Sequence, residues 1–281
     1  MPMEATNQMK STQVEKGRAF RALHERDGAF IIPNPWDVGS ARLLAHMGFE
    51  ALATTSMGYA FSQGRRDNTL GLQATLGYAS AIASATNLPV SADLENGFGD
   101  SPEAVAETIR CAAASGIVGG SIEDATGRPD RPIYEIELAT ERVKAAVAAA
   151  RALPFPFTLT ARAENYWHGR PDLTDTIKRL QSYEKAGADV LYAPGLRTKD
   201  EIVAVVNCVK RPVNVVMGLQ GVRLSLAELS AVGVKRISVG SALYRTALGA
   251  FLRAAREMRE HGTFSFAADA ASPKEISAMF R

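Results

Sequence analysis

The alternation of eight short β-rich runs with helical patterns is the sequence feature that most restricts the possible folds of this chain. Each run is almost continuously apolar, as expected for strands that are buried on both faces of a parallel sheet. The runs cover residues 29–33, 50–56, 88–94, 117–123, 155–162, 188–194, 211–217 and 234–240. Eight strand–helix units in about 250 residues predict an α/β protein with a (β/α)8 TIM barrel. A doubly wound open sheet is the alternative.

Helix boundary signals separate these runs. Ser101 and Pro102 start one helical pattern and Gly116 follows its end, which is the usual order of a capping residue, a first-turn proline and a terminating glycine. A long amphipathic pattern at 241–261 follows the eighth run, and a short helix is predicted from Ser272. We therefore predict a single domain over 1–281, with the barrel at about 15–260 and a helical tail at 261–281. The tail packs either on its own barrel or on a neighbouring subunit.

The charge balance excludes two classes of partner. The chain has 32 basic and 30 acidic residues, a net charge of +2, and these residues are spread along its whole length. Nucleic acids and anionic membranes are therefore not expected as partners. No apolar stretch approaches the ~20 residues that span a bilayer, and residues 1–17 lack the apolar core of a secretory signal. The sequence predicts a cytoplasmic protein.

Polar residues gather where the predicted strands end, which is where the active sites of parallel barrels lie. In the stretch SADLENGFGD (91–100), Asp93 and Glu95 stand one residue apart, so a regular strand would direct both side chains into the barrel mouth. Glu123 ends the fourth run and Arg162 ends the fifth. Carboxylates this close need a countercharge, and hard oxygen ligands suit Mg²⁺, with Mn²⁺ as a second candidate. The alternative is structural: turn capping by Asp93 and an ion pair between Glu123 and Arg162.

The sequence resembles the isocitrate lyase/phosphoenolpyruvate mutase superfamily across roughly residues 15 to 260. The stretches that carry the resemblance are TTSMGYAFSQGRRD (54–67), LPVSADLENGFGD (88–100), SIED (121–124), TARAE (160–164) and YEKAGADVLYAPG (183–195). The resemblance implies a (β/α)8 barrel that swaps its last helix between subunits. It also implies Mg²⁺, a small 2-oxo acid and the making or breaking of C–C or P–C bonds beside the carbonyl.

The resemblance assigns the metal site to three carboxylates. Asp93 matches the direct ligand of the metal, and Glu123 matches a third carboxylate around it that also serves as a catalytic residue. Glu95 stands where the family usually has aspartate, and its longer side chain is expected to reach the metal through water.

Other positions match the substrate and catalytic machinery. Arg162 resembles the catalytic clamp on the substrate carboxylate or carbonyl. Thr55, Ser56 and Met57 match a loop whose backbone N–H groups hold a carboxylate, and Asp67 matches a catalytic aspartate that closes this loop near the metal.

Departures from the family pattern leave the general acid or base open. The lyases carry a Lys-Arg-Cys-Gly-His stretch after strand four, whereas this chain has the shorter, cysteine-free DATGRPDRPIYE (124–135). The mutases and phosphonopyruvate hydrolases have Asp-Lys there, and this chain has Asp124 and Ala125. His168 is the candidate acid or base that remains, with Asn165 nearby as a candidate substrate contact. Trp36 is a candidate wall of the pocket.

Three functions follow from these residues. The first is a Mg²⁺-dependent lyase that cleaves a C–C bond of a small 2-oxo or 2-hydroxy carboxylic acid, by retro-aldol cleavage or decarboxylation. The second is a phosphonate P–C bond mutase or hydrolase, of the carboxyvinyl-carboxyphosphonate phosphorylmutase or phosphonopyruvate type. The third is a metal-dependent 2-oxo acid binder with little turnover. The expected partners are a small carboxylate substrate and further copies of the chain, in a homodimer or homotetramer.

Overall fold

A computed structural model describes residues 11–219 and 221–280 and contains eight parallel strands. All eight predicted runs contain a strand, although the strands are shorter than the runs. The strands are β1 Phe30–Ile32, β2 Leu52–Ala53, β3 Val90–Asp93, β4 Gly119–Glu123, β5 Thr158–Arg162, β6 Val190–Tyr192, β7 Val213–Val216 and β8 Arg236–Ser238. The predicted strand content is confirmed.

The strand order identifies a barrel and excludes the open sheet. Neighbours follow chain order from β2 through β8 and then to β1, without the reversal that defines a doubly wound sheet. The gap between β1 and β2 is bridged by the Ala53 N–H, which donates to the carbonyl of Pro33 at 3.0 Å. The eight strands therefore form a nearly closed (β/α)8 barrel, as predicted.

Helices cover the outside of the barrel. They are α1 Gln13–Glu25, α2 Val38–His46, α3 Ser56–Ser62, α4 Leu72–Ala85, α5 Pro102–Ala114, α6 Ile136–Arg151, α7 Leu173–Lys185, α8 Lys199–Cys208, α9 Leu226–Ala231, α10 Ala242–His261 and α11 Pro273–Met279. A short 3₁₀ helix, Ser265–Asp269, precedes α11. The cap predicted for α5 is present: the Ser101 side chain accepts from the Ala104 N–H, and Gly116 follows in the left-handed region at φ 91°.

The first helix closes the N-terminal end of the barrel. Phe20 and Leu23 of α1 pack in an apolar cluster with Phe30 and Val118, which lie at or next to the N-terminal ends of β1 and β4. The main core lies between the sheet and the helices α4 to α8. Because α1 seals the lower end, the upper, C-terminal end of the barrel is left open for a site.

The C-terminal helices lie outside this core. None of the residues of α10 is buried within the chain, and the side chains of Phe251 and Phe264 are 64% and 65% exposed. The last helix, α11, lies against α2 of the same chain. Among residues 11–219 and 221–280, no helix is long and apolar enough to cross a bilayer.

Candidate active site

A row of polar and charged residues, each the register partner of the next, crosses the strands β4 to β8. Successive Cα partners on β4 to β8 are Glu123, Arg162, Tyr192, Asn214 and Arg236. Glu123 and Arg162 are the last residues of their strands, whereas Arg236 is the first residue of β8. Because strands in a barrel are tilted and staggered, this row descends from the mouth of the barrel at Arg162 into its interior at Arg236.

Arg162 is the centre of the charged cluster at the mouth. Its guanidinium contacts three carboxylates: Nη1 lies 3.1 Å from Asp93 Oδ1, Nη2 lies 3.1 Å from Glu123 Oε2, and Nε lies 2.8 Å from Glu164 Oε1. The same guanidinium lies over the ring of Tyr192, 5.1 Å from its centroid. These contacts use every nitrogen of the fork and hold the arginine in one orientation.

Asp93 joins the loops that follow β2 and β3. Its Oδ2 accepts from the Ser56 hydroxyl at 2.9 Å, and its backbone N–H donates to Thr54 Oγ1 at 2.8 Å. The expectation that Asp93 and Glu95 alternate on a regular strand is wrong, because β3 ends at Asp93 and Glu95 lies in a turn with φ 48°. Glu95 is nevertheless buried, and its carboxylate is close enough to those of Asp93 and Asp67 to interact with both charges.

The carboxylates of this cluster exceed the positive charge that Arg162 supplies. Burial and the charges of Asp93 and Asp67 raise the pKa of Glu95 to about 8. Burial and the charge of Asp93 also raise the pKa of Asp67, whose Oδ1 is buried without a hydrogen-bond partner. Burial raises the pKa of Glu123 against the opposing effect of Arg162. Burial alone would lower the pKa of Arg162, but Glu164, Glu123 and Asp93 raise it, so the guanidinium stays charged.

These residues fit a divalent cation. The donors are hard oxygens, their charges repel one another, and one buried carboxylate oxygen has no partner. In the part of the chain that the structure describes, no three His, Cys, Asp or Glu side chains are positioned to coordinate one metal ion together. Glu123 and Asp93 turn towards Arg162 instead. Mg²⁺ does not require three protein ligands, because it keeps several coordinating waters and is commonly bound by one or two carboxylates. The roles of Asp93, Glu95 and Glu123 as metal ligands stay predictions.

A cavity of about 120 Å³ opens at this cluster and extends into the barrel. Six of the predicted site residues line it: Thr55, Ser56, Met57, Asp67, Asp93 and Arg162. Thr55 caps α3, its side chain accepting from the Gly58 N–H. The Thr55 N–H donates to the Tyr78 hydroxyl at 3.2 Å, and the Ser56 N–H points at Asp93 Oδ2 at 3.4 Å. These two backbone groups therefore already have partners within the chain.

The other predicted substrate and acid–base residues lie away from this cavity lining. Trp36 contacts the ring of Tyr244 in α10, with centroids 5.4 Å apart. Asn165 is buried, and its amide N–H₂ donates to the carbonyl of Asp172. His168 is half-buried on the loop after β5, and burial lowers its pKa. The predicted roles of these three residues are untested, and none of the three lines the cavity at the mouth of the barrel.

A buried network of hydrogen bonds around Asp124 lies next to the charged cluster. Asp124 accepts from the Glu164 N–H at 2.8 Å, from Arg179 Nη1 at 3.0 Å and from the Tyr183 hydroxyl at 2.6 Å. This network fixes the backbone of Glu164, whose carboxylate contacts Arg162. Nearby, Arg128 of the loop 124–135 pairs with Asp100 at 2.7 Å. The loop is therefore tied to the segment after β3.

Sequence reasoning assigned no role to several residues that line the cavity, among them Trp167, Tyr192 and Arg236. Trp167 is adjacent to His168, so the sequence analysis identified the loop but did not consider this side chain. Tyr192 and Arg236 are polar residues within predicted buried strands. That pattern could have indicated side chains that face the barrel interior.

Several solved structures are similar to this chain over most of its length. A Burkholderia cenocepacia protein, described as a candidate lyase/mutase, is 66% identical, with a TM-score of 0.94 over 95% of this chain and 97% of that chain. Oxaloacetate acetylhydrolase in complex with oxalate is 26% identical, with a TM-score of 0.84 over 94% of both chains. Phosphonopyruvate hydrolase in complex with oxalate and Mg²⁺ is 27% identical, with a TM-score of 0.83 over 96% of this chain and 95% of that chain.

The profile of one family matches most of the chain. The family is described as phosphoenolpyruvate phosphomutase, and the match covers residues 20–259, which include every element from β1 to β8. This range also includes the whole charged cluster around Arg162. The resemblance found in the sequence motifs is therefore confirmed: the chain is an enzyme of the phosphoenolpyruvate phosphomutase family, in the isocitrate lyase/PEP mutase superfamily.

Proposed function

We propose that the enzyme is a Mg²⁺-dependent lyase that cleaves a C–C bond of a small 2-oxo or 2-hydroxy carboxylic acid. The observation that carries this proposal is the cavity at the mouth of the barrel, where Asp93, Asp67 and Arg162 face one space of about 120 Å³. A space of this size holds several water-sized groups, which suits a small acid rather than a large one. Relatives that hold oxalate support the choice of ligand.

Each charged group has a defined task in this proposal. Asp93 would hold Mg²⁺ directly, with Glu95 and Glu123 around it, and the bound ion would supply positive charge for the oxyanion that develops as the bond breaks. Arg162 is held by Glu164 and Glu123, so its guanidinium needs no reorganisation to stabilise that oxyanion. Asp67 has a raised pKa, which suits a group that exchanges a proton or contacts the ion.

The second candidate is cleavage or rearrangement of a P–C bond in a phosphonate. Phosphonopyruvate hydrolase of Variovorax is 29% identical over 96% of this chain, which favours this candidate. Against it, the loop 124–135 lacks the lysine that follows the aspartate in that group. Asp124 instead forms part of the buried network with Arg179 and Tyr183.

A substrate screen tests these two candidates. Purified enzyme with Mg²⁺ is incubated with oxaloacetate, 2-methylisocitrate, 2,3-dimethylmalate and phosphonopyruvate, and pyruvate, glyoxylate, CO₂ and phosphate are measured. Release of a keto acid or CO₂ without phosphate supports the lyase, whereas release of phosphate, or formation of phosphoenolpyruvate from phosphonopyruvate, supports the phosphonate enzyme. Oxalate binding without any product would favour a 2-oxo acid binder.

The metal assignment is tested with Asp93→Asn. We expect Mg²⁺-dependent oxalate binding, followed by isothermal titration calorimetry, to fall below detection, since the direct ligand loses its charge. Asp27→Asn is the matched control, because Asp27 is exposed in the turn before β1. Unchanged oxalate affinity in Asp93→Asn would contradict the assigned site.

We also propose that the enzyme forms a homodimer or homotetramer in the cytoplasm. Support comes from the apolar side chains of Phe251, Leu252, Met258 and Phe264, which are exposed on and after α10. Size-exclusion chromatography with light scattering measures the assembly, and Phe251→Glu is expected to weaken it. A monomer at micromolar concentration would contradict this proposal.

A further inference from the structure

Arg236 is a buried arginine whose guanidinium crosses the inside of the barrel. The residue is 5% exposed and begins β8. Its Nε donates to Asn214 Oδ1 on β7 at 2.8 Å, and its Nη2 donates to Thr160 Oγ1 on β5 at 2.9 Å. The side chain therefore spans from β8 to β5. Barrel interiors are usually filled with branched apolar side chains, so a guanidinium here needs an explanation.

The positive charge of Arg236 has no negative partner in the described part of the chain. Both acceptors are neutral, and Nη1 is buried without any hydrogen-bond partner. The groups that act on its charge are Tyr192, whose own pKa burial raises to about 12, and the cation Arg162. Burial and Arg162 lower the pKa of Arg236 to about 10, which still leaves it charged at pH 7. An unpaired buried charge is costly, so a partner from outside the chain is expected.

The cavity at the mouth reaches Arg236. The lining that contains Asp93 and Arg162 also contains Arg236, together with the small polar side chains of Asn214 and Ser238. The descending row of paired residues places Arg236 below Arg162 in the barrel. One ligand can therefore meet Asp93 and Arg162 at one end of the cavity and the guanidinium of Arg236 at the other.

We propose that Arg236 forms an oxyanion subsite that binds the second anionic group of a dianionic substrate, whose 2-oxo acid end lies at Arg162. This inference rests on the proposed function and narrows it to substrates with an oxyanion at each end. The distal group is a carboxylate or a phosphonate, since both accept hydrogen bonds from a guanidinium. Its charge would neutralise the one cation inside the barrel that lacks a carboxylate contact among the described residues.

The test compares a ligand that lacks a distal anionic group with two ligands that carry one. Pyruvate has the 2-oxo acid end alone, whereas 2-oxoglutarate adds a distal carboxylate, and phosphonopyruvate adds a distal phosphonate. Calorimetric titration with Mg²⁺ is expected to show that the wild type binds a dianion about 10- to 100-fold more tightly than pyruvate, since hydrogen bonds to charged groups are among the strong ones. The dianion whose affinity exceeds that of pyruvate by the larger factor identifies the distal group.

Variants of Arg236 attribute that preference to its charge. Arg236→Gln is expected to bind dianions and pyruvate with affinities within about threefold, and Arg236→Lys is expected to keep part of the preference. Arg151→Gln is the matched control, because Arg151 pairs with Asp189 on the outside of the barrel and should keep the full preference. Thermal unfolding of each variant verifies that it is folded before it is titrated.

The possible failures are distinguishable. If neither pyruvate nor oxalate binds the wild type with Mg²⁺, the proposed function fails at the mouth of the barrel. The subsite is then tested alone with glutarate and EDTA, where glutarate is expected to raise the Tm of the wild type but not that of Arg236→Gln. Equal wild-type affinities for pyruvate and both dianions, a preference that survives in Arg236→Gln, or no effect of glutarate in that last test would overturn the subsite.

Discussion

Two arginines that line one cavity differ in the charges that surround them. Arg162 at the mouth contacts Asp93, Glu123 and Glu164, whereas Arg236 deeper in the barrel contacts only neutral oxygen atoms. The mouth has more negative charge than its arginine neutralises, which favours a bound cation. The interior has one positive charge and no carboxylate contact to it in the described residues, which favours a bound anion. Opposite excess charges in one space suit a metal-bound ligand with an anionic tail.

The largest expected effect is the loss of stability on Arg162→Met. Removing the cation leaves the buried Glu164 and the partly buried Asp93 and Glu123 close together without their counterion. Breaking a buried ion pair by removing one partner typically costs about 3–5 kcal/mol, so the free energy of unfolding should fall by about that amount. Urea unfolding followed by circular dichroism measures it. A loss below about 1 kcal/mol would show that the carboxylates do not depend on Arg162.

The next effect concerns the network that holds Glu164 against Arg162. In Tyr183→Phe, Asp124 loses a 2.6 Å hydrogen bond in a fully buried setting. Hydrogen bonds to charged groups contribute about 1.5–3 kcal/mol, so we expect a loss of that size in the same urea experiment. Tyr59→Phe is the matched control, since Tyr59 stacks on Tyr78 through its ring, which phenylalanine retains. Equal losses in the two variants would contradict the role of the Asp124 network.

A smaller effect is the pH dependence that His24 introduces near Arg236. Burial and the charges of Arg236 and Lys235 lower the pKa of His24 to about 3, against the raising effect of the Phe20 carbonyl that its Nδ1 contacts. Below a pH of about 6.5 the unfolded chain binds a proton that the folded chain does not, so stability falls as pH falls. The contribution of His24 to the free energy of unfolding is therefore fully present above pH 6.5 and decreases as the pH falls towards 3.

This dependence is measurable at mild pH. Between pH 7.5 and 5.5 the His24 contribution to the free energy of unfolding should fall by about 1.4 kcal/mol, measured by urea unfolding at each pH. In His24→Gln the corresponding loss should be absent, whereas in Arg236→Gln it should persist, because burial, the largest cause of the lowered pKa of His24, remains. The same slope in the wild type and in His24→Gln would assign the titration to another group.

The fold was predictable from the sequence because parallel barrel strands are buried on both faces and appear as short apolar runs. The turn at Glu95 was not, since the alternation of Asp93 and Glu95 resembles a continuing strand, whereas β3 ends at Asp93, two residues before Glu95. The mouth was predictable because Arg162 and its carboxylates end neighbouring strands. Arg236 was overlooked because it follows Lys235 at a strand start, where basic residues are usually exposed, although its place in a predicted buried strand could have indicated an interior side chain.

The smallest expected effect is the change in stability on Arg236→Met, the counterpart of Arg162→Met at the second arginine. Arg236→Met removes two hydrogen bonds to neutral acceptors, which are the Asn214 and Thr160 side-chain oxygens. It also removes the desolvation penalty of a buried cation, which is several kcal/mol per ion, and apolar replacements of buried charges are often neutral or stabilising. We therefore expect the free energy of unfolding to change by about 1 kcal/mol or less, measured by urea unfolding beside Arg162→Met. A loss as large as that of Arg162→Met would mean that Arg236 is retained for stability. A near-zero change would mean that its unpaired charge is kept for a ligand.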